Sequence, residues 1–516
     1  MIPARRIPHA RRATWLAALA ASSAVVLSAC AGSGGAAASG GSGGGSPTLK
    51  WASSYFPTHW DPVVSGSGAQ FRELALVYAS LTKTDANGNA VPDLAQSWKY
   101  NSTGDEVTFH LRPNLTFSDG TPVNAQAVKD AIERAKTQKN SALFGDLTSI
   151  KSVTTSDDLD VLVHLTQVDY QIPLLLGERV LQIASPKAAS APTTLDQAPV
   201  GAGPFTVTQL IPGTKAVLKK NPNYWDAKDI HIDNVQLISA PDPSTVVAGL
   251  QTGAYNFADV ASSQAKAATG AGLDVFVQPG FNAANISLNV NKAPFTNPKV
   301  VDAVRYAINR KEFVDKLTFG YGQTTDQPFP PGYVAYDPRS ADLYPYNPAK
   351  SKQLLAEAGY QANQISLRLV ISTDDPAAEI VQSQLAAVGI KVSIKVDKNW
   401  ATPFFAKELA FSLYGTTGRD SALQTLTAHF GPNGVLNLST PYEPAGFEAA
   451  VAKVRQTPLD APNYAQVLQA ATRVGLQSKA LVFTYAAPNL FAKSKSISDL
   501  PKNPAHIDWT GVTIGD

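Results

Sequence analysis

The residue whose position most directly suggests covalent chemistry is Cys30, the only cysteine among 516 residues. It follows Leu27-Ser28-Ala29, and the four residues fit a bacterial lipobox. In such a motif the cysteine sulfur takes a diacylglyceryl group and becomes the new N-terminus. Two acyl chains, at about 0.8 kcal/mol per buried methylene, anchor a protein far more firmly than one. A lone cysteine also excludes an internal disulfide and a cysteine-built metal cage. The histidines at 59, 110, 164, 231, 429 and 506 are scattered, without the spacing of metal ligands. No HExxH or phosphate-cradling GxxxxGK(S/T) pattern occurs, and the GxSxG spacing is met at Gly40 to Gly44 within a Gly/Ser/Ala run, so the chemistry of those motifs is not indicated. The reading is a non-enzyme, with no catalytic residues, no metal ligands and no cofactor. A secreted hydrolase whose site assembles only in space is the remote alternative.

The segments around Cys30 must bring it to a membrane. Arg5, Arg6, Arg11 and Arg12 form a positive stretch with no acidic residue, and the run Thr14 to Ala29 is predominantly apolar. That run is shorter than the ~20 residues of a spanning helix and has the flanks of a signal-peptide core. Residues 1–29 are therefore expected to be a signal peptide, and the paired arginines permit general-secretory or twin-arginine export. Residues 30–47 add the lipidated cysteine and a Gly/Ser/Ala tether ending at Pro47. Such a coil reaches roughly 20–25 Å. The expected location is the extracytoplasmic face of a bacterial cell membrane.

Charge narrows the partners. The chain carries 43 basic and 41 acidic residues; without the four leader arginines, 39 face 41. No basic block follows the leader, and nucleic-acid binding is excluded as a reading because such domains concentrate positive charge on one face. The remaining globule of roughly 470 residues is long enough for two or three domains. Its 44% hydrophobic and 16% charged composition suits a soluble protein.

The elements that would position a site alternate between two periodicities. Leu49 to Ser53 reads as an opening strand, and Val107 to Leu111 alternates as a half-buried one. A helix is predicted at Phe71–Ser80. Asn124 is placed to cap another whose Val128, Ala131, Ile132 and Ala135 share a face. Asn297-Pro298 and Asn347-Pro348 each pair a capping residue with proline at the first helical position; the second helix closes at Gly359. Ile365 to Ile371 alternates, a helix through Ala377, Val381, Leu385 and Val388 follows, and Val392 to Val396 alternates again. Strand, helix and strand in so short a span predict a parallel βαβ unit. The fold class is α/β with mixed sheets.

Ordered motifs then resemble a known family. They are Trp60-Asp61-Pro62, Val91-Pro92-Asp93-Leu94-Ala95-Gln96-Ser97-Trp98, Val107 to Pro113, and Phe117-Ser118-Asp119-Gly120-Thr121-Pro122. Pro199 to Phe205, Asn221-Pro222-Asn223-Tyr224-Trp225, Leu288 to Asn291, Pro294-Phe295 through Arg310, Tyr346 to Ala349 and Val388 to Val392 continue the series. Together the set resembles family 5 extracellular solute-binding proteins, the peptide and nickel binders of ABC importers. The resemblance implies a two-lobed type II periplasmic-binding-protein clamp with its ligand cleft between the lobes. It implies a discontinuous first lobe (48–77, 198–280 and 486–516), an extra domain packed on it (78–197) and a second lobe (281–485). It also implies that the lobes close by hinge motion. The expected partners are a small-molecule or peptide ligand and the permease and ATPase subunits of an importer, with the chain itself monomeric.

Most motif residues read as structural. Asp119 to Pro122 is a turn, Trp98, Tyr224 and Trp225 are packing anchors, and Arg112 is a salt-bridge or carbonyl partner. The resemblance places ligand contacts at Ser67, Gly68, Ala69 and Gln70, and at Tyr414, Gly415, Thr416, Thr417 and Asp420. Trp400 stands between pocket wall and core, and His59 beside Trp60 is the one histidine near an expected cleft wall. Peptide-binding members carry Trp-Gly-x-Asp in the 414–417 segment, and that aspartate holds the ligand's α-ammonium. Here Tyr414 and Thr417 replace the Trp and the Asp, and Asp420 matches only a second acidic position. A neutral Thr417 cannot pair with a buried cation. Either Asp420 does so, or the ligand lacks a free amino terminus, which admits modified peptides, oligosaccharides and nickel chelates.

Overall fold

The computed structural model describes residues 46–65, 70–190, 195–240, 242–416, 421–503 and 506–515. The leader, Cys30 and most of the tether lie outside them. No helix among the described residues is long and apolar enough to cross a membrane.

Alternation builds the strands, and their buried sides merge into separate cores. Strand β5 (Glu106–Leu111) buries Val107, Phe109 and Leu111 and leaves Thr108 and His110 partly exposed. It lies in a four-stranded antiparallel sheet of order β4 (Ala95–Tyr100), β5, β7 (Asp160–Leu165), β6 (Ile150–Thr155). The helix Ala125–Thr137 covers this sheet; Asn124 caps it, accepting from the Ala127 N–H, and Val128, Ile132 and Ala135 enter the core. A hairpin of β2 (Thr82–Thr84) and β3 (Ala90–Pro92) flanks it.

The larger sheet runs through both lobes. Its order is β15 (Ile390–Val396), β14 (Ile365–Ile371), β16 (Phe411–Thr416), β12 (Asp274–Leu288), β17 (Leu481–Lys493), β11 (Phe257–Asp259), β1 (Thr48–Ser53), β10 (Asn234–Ser239), β9 (Lys215–Lys220), β8 (Phe205–Ile211). The short β13 (Gln323–Thr324) adds to β17. The predicted βαβ unit is present: β14 and β15 pair in parallel from Ile365↔Ile390 to Ile371↔Val396, joined by the helix Pro376–Ala387. Gly389 and Gly359, at φ of +89° and +86°, end their helices in a conformation that costs a side chain but not glycine.

One predicted element is wrong in length. The helix expected over Phe71–Ser80 stops at Leu74. Beyond it the carbonyls of Leu76 and Val77 accept from the N–H groups of Phe205 and Gly203 at 2.9 and 2.8 Å, so tertiary bonds take the acceptors a helix would use. Only glycine permits that approach: a Cβ on Gly201 or Gly203 would lie 2.2 or 2.6 Å from Val77 backbone atoms.

Other motif residues are structural. Asp93, fully buried, accepts from the Ser80 N–H at 2.9 Å and from the Trp225 indole at 2.7 Å. Arg112 donates to the Asp93 carbonyl at 2.7 Å and lies 3.8 Å from the Trp225 ring centroid, a carbonyl and cation–π partner rather than a ligand contact. Asp119 holds its turn through the Thr121 N–H and the Ser185 hydroxyl.

Candidate ligand-binding cleft

Two strands, β12 and β17, carry the chain from one lobe to the other, and their register locates the crossing. On the first-lobe side Asp274↔Lys493 through Gln278↔Asn489 pair regularly; the next pair is Asn282↔Ala487. Three residues, 279 to 281, thus oppose the single Pro488, which has no N–H for the ladder. The parallel strands β1 and β11 point their C-terminal ends at this break, since Phe257 aligns with Lys493 and Asp259 with Phe491. From the other side β16 ends there too, Thr416 pairing with Ala283, and β14 runs parallel to it. Open α/β sheets bind ligands outside the carboxyl ends of their strands. Here two such sets of ends converge on one crossing.

The first-lobe wall is polar beneath an aromatic. Tyr55, just past β1, is 46% exposed, and the Arg72 guanidinium lies 5.4 Å from its ring centroid. Arg72, Glu73 and Asp259 form a buried group below: Arg72 reaches Asp259 at 3.4 Å, and Glu73 accepts from the Ser53 hydroxyl at 2.7 Å. Burial pushes the Glu73 carboxyl up to about 8, against the pull of Arg72. Gln70 belongs to this wall, held by the Ser65 hydroxyl at 3.1 Å and the Phe56 carbonyl at 3.4 Å.

The second-lobe wall is aromatic. Tyr414 on β16 stacks on Phe404 with ring centroids 5.2 Å apart, and Trp400 packs edge-on to Phe404 at 5.4 Å. Trp400 is half-buried, with Tyr414 6.1 Å away. Gly415 and Thr416 end β16, their backbones paired with Ala284 and Ala283. The structure therefore brings Trp400, Tyr414, Gly415 and Thr416 together and places Gln70 on the other lobe. Ser67, Gly68, Ala69, Thr417 and Asp420 lie outside the described residues. His59 meets Asp196 at 3.0 Å, and among the described residues no cluster of His, Cys, Asp and Glu could hold a metal ion.

Between residues of the segments 142–179 and 421–455 lies a cavity of about 540 Å³. Asp146, Asp169, Gln171 and Arg179 face it from one side, and Ser421, Gln424 and Arg455 from the other. Arg179 pairs with Asp146 at 2.7 Å, and Gln424 reaches the same carboxylate at 3.4 Å. Gln424 also accepts from the Ser421 N–H in the capping box of the helix Ala422–Phe430, immediately after residues 417–420. Near the other loop, the Ala142 N–H donates to Val63 and Gln182 to Phe71. Sequence reading missed every one of these cavity side chains. They come from segments some 300 residues apart and share no motif.

Comparisons with known proteins identify the family and the fold. Residues 89–434 match the family model for bacterial extracellular solute-binding proteins, family 5 (middle region). Heme-binding protein A of Haemophilus influenzae is 29% identical over 392 residues, 69% of this chain and 71% of that one. Di/tripeptide-binding protein 3 of Pseudomonas aeruginosa is 28% identical over 412 residues, 72% of this chain and 76% of its own. The solved structure of HbpA2 from Haemophilus parasuis superposes with a TM-score of 0.76 at 25% identity, covering 91% of this chain and all of that one. The α/β architecture and two-lobed form expected from the sequence are those of its structural neighbours. The chain belongs to the bacterial extracellular solute-binding proteins, family 5.

Proposed function

We propose that this protein captures a small peptide-like solute between its lobes and delivers it to the membrane subunits of an ABC importer. The observation that carries the reading is the cavity of about 540 Å³ between the extra domain, which in this reading packs on the first lobe, and the second lobe, with the two lobes joined through a strand pair broken at Pro488. Its size falls within the ~300–1,000 Å³ of small-ligand sites, and its lining of carboxylates, guanidiniums and amides suits a ligand rich in backbone-like polar groups. The di/tripeptide-binding relative supports the same class. In this reading 48–77, 198–280 and 486–516 form the first lobe, 78–197 the extra domain and 281–485 the second lobe. Cys30 carries the lipid that keeps the monomer at the outer face of the membrane. The lobe walls act as a binder, and none of their side chains is assigned a catalytic role.

The test is thermal unfolding with and without a pool of two- to three-residue peptides. A ligand at 100 times its Kd adds about 2.7 kcal/mol of stability, and a rise in Tm is the expected result. A flat response to peptides together with a rise for heme would move the ligand class toward that of the Haemophilus influenzae relative.

A further inference from the structure

The two sides of the cavity are also bonded at a place distant in sequence from the hinge. The turn Asp169-Tyr170-Gln171 leads into the short helix Ile172–Leu175 of the extra domain's core. It meets the end of the helix Phe447–Arg455 and the start of the helix Tyr464–Gly475 in the second lobe. The Tyr170 N–H donates to the Arg455 carbonyl at 2.8 Å. The Arg455 guanidinium pairs with the Asp169 carboxylate. The Tyr464 hydroxyl donates to Gln171 Oε1 at 2.7 Å, and Gln171 Nε2 donates to the Val454 carbonyl at 3.5 Å. The β2–β3 hairpin touches the same lobe: a Cβ on Gly88 would come within 2.9 Å of the Tyr333 ring.

These contacts differ in kind from the hinge. Asp169 is 1% exposed and Gln171 3%, yet both would be hydrated if the lobes parted. While every partner is present, opening exchanges protein bonds for water bonds at modest net cost. Without Arg455 the Asp169 carboxylate would be an uncompensated charge in the closed form only, because water solvates it in the open one. The contacts therefore discriminate between the two states, as any group that shifts their populations must.

We propose that the Asp169–Gln171 turn and the Arg455/Tyr464 pair form a latch by which the extra domain holds the clamp closed over its ligand. The proposal rests on reading the molecule as a clamp. A latch, unlike a permanent interface, releases far below the free energy of global unfolding. Hydrogen exchange at the Tyr170 amide tests this in the full-length protein without ligand.

The expected result is exchange through a local opening, at least about tenfold faster than for the β5 amides. Arg455→Met should accelerate Tyr170 by on the order of a hundredfold while leaving β5 unchanged. Adding Asp169→Asn to that variant should restore most of the protection. Exchange of Tyr170 only with global unfolding would identify a permanent interface and overturn the latch, as would an unchanged rate in Arg455→Met. If Arg455→Met fails to fold, Tyr464→Phe decides. Faster exchange at Tyr170 alone supports the latch; unfolding or no change rejects it. Failure of peptides to bind with this pattern intact would remove the peptide reading and leave the latch standing.

Discussion

Glu73 has no exposed surface and keeps one carboxyl oxygen without a partner. Burial holds its pKa near 8, above the ordinary 4.5. An acid whose folded pKa is raised contributes stability that is complete below about 4.5 and is lost as pH climbs toward 8. Chemical denaturation should therefore show about 2–4 kcal/mol less stability at pH 8 than at pH 4.5 from this group. Glu73→Gln should flatten that slope; a slope unchanged in the variant would assign the effect elsewhere. Gly203 makes a second prediction at this scale. Its absent Cβ leaves room for the Val77 backbone, so Gly203→Ala should cost about 1–3 kcal/mol of stability by overpacking, read as a lower denaturation midpoint. At single positions the sequence was informative where one backbone geometry demands one residue, as at Gly359 and Asn124, and uninformative where the demand comes from a distant carbonyl, as at Gly203.

Among the elements, those with strong local punctuation were legible. Asn297-Pro298 begins its helix as predicted, with Asn297 accepting from the Lys299 N–H, and the βαβ unit lies within a residue or two of its predicted bounds. The helix predicted over Phe71–Ser80 failed because its second half bonds to the Pro199–Phe205 motif, a competition invisible to periodicity. The capping box before the helix Ala422–Phe430 is a local device with a long-range connection, since Gln424 also reaches Asp146. Ser421→Ala should destabilise that helix by about 1 kcal/mol. It should also weaken ligand binding, because Ser421 and its capping partner Gln424 line the cavity. Calorimetric titration with the peptides that raise Tm would check the second effect, and unchanged affinity would separate the cap from the site.

For the whole molecule the expected behaviour is closure and anchoring. Ligand should contract the radius of gyration measured by solution scattering, the outcome expected of lobes that turn about the break at Pro488. A constant radius at saturation would indicate a rigid pocket. Cys30→Ala should release the protein from the membrane fraction, and retention in that variant would count against a lipid anchor. Charge entered only at this scale, as 43 basic against 41 acidic residues over the whole chain.

By itself the sequence determined the strands and helices with clear periodicity and caps, and the ordered motifs of the family. Each of these is written in neighbouring residues. Tertiary structure alone decided that Asp93 serves Ser80 and Trp225, that Tyr55 stands over Arg72, and that Asp146, Gln171 and Arg179 share a cavity with Gln424 and Arg455. Those groupings arise when β12 and β17 cross between lobes and bring together side chains some 300 positions apart. No local pattern records them, because what selects each residue is a partner that becomes its neighbour only once the chain has folded.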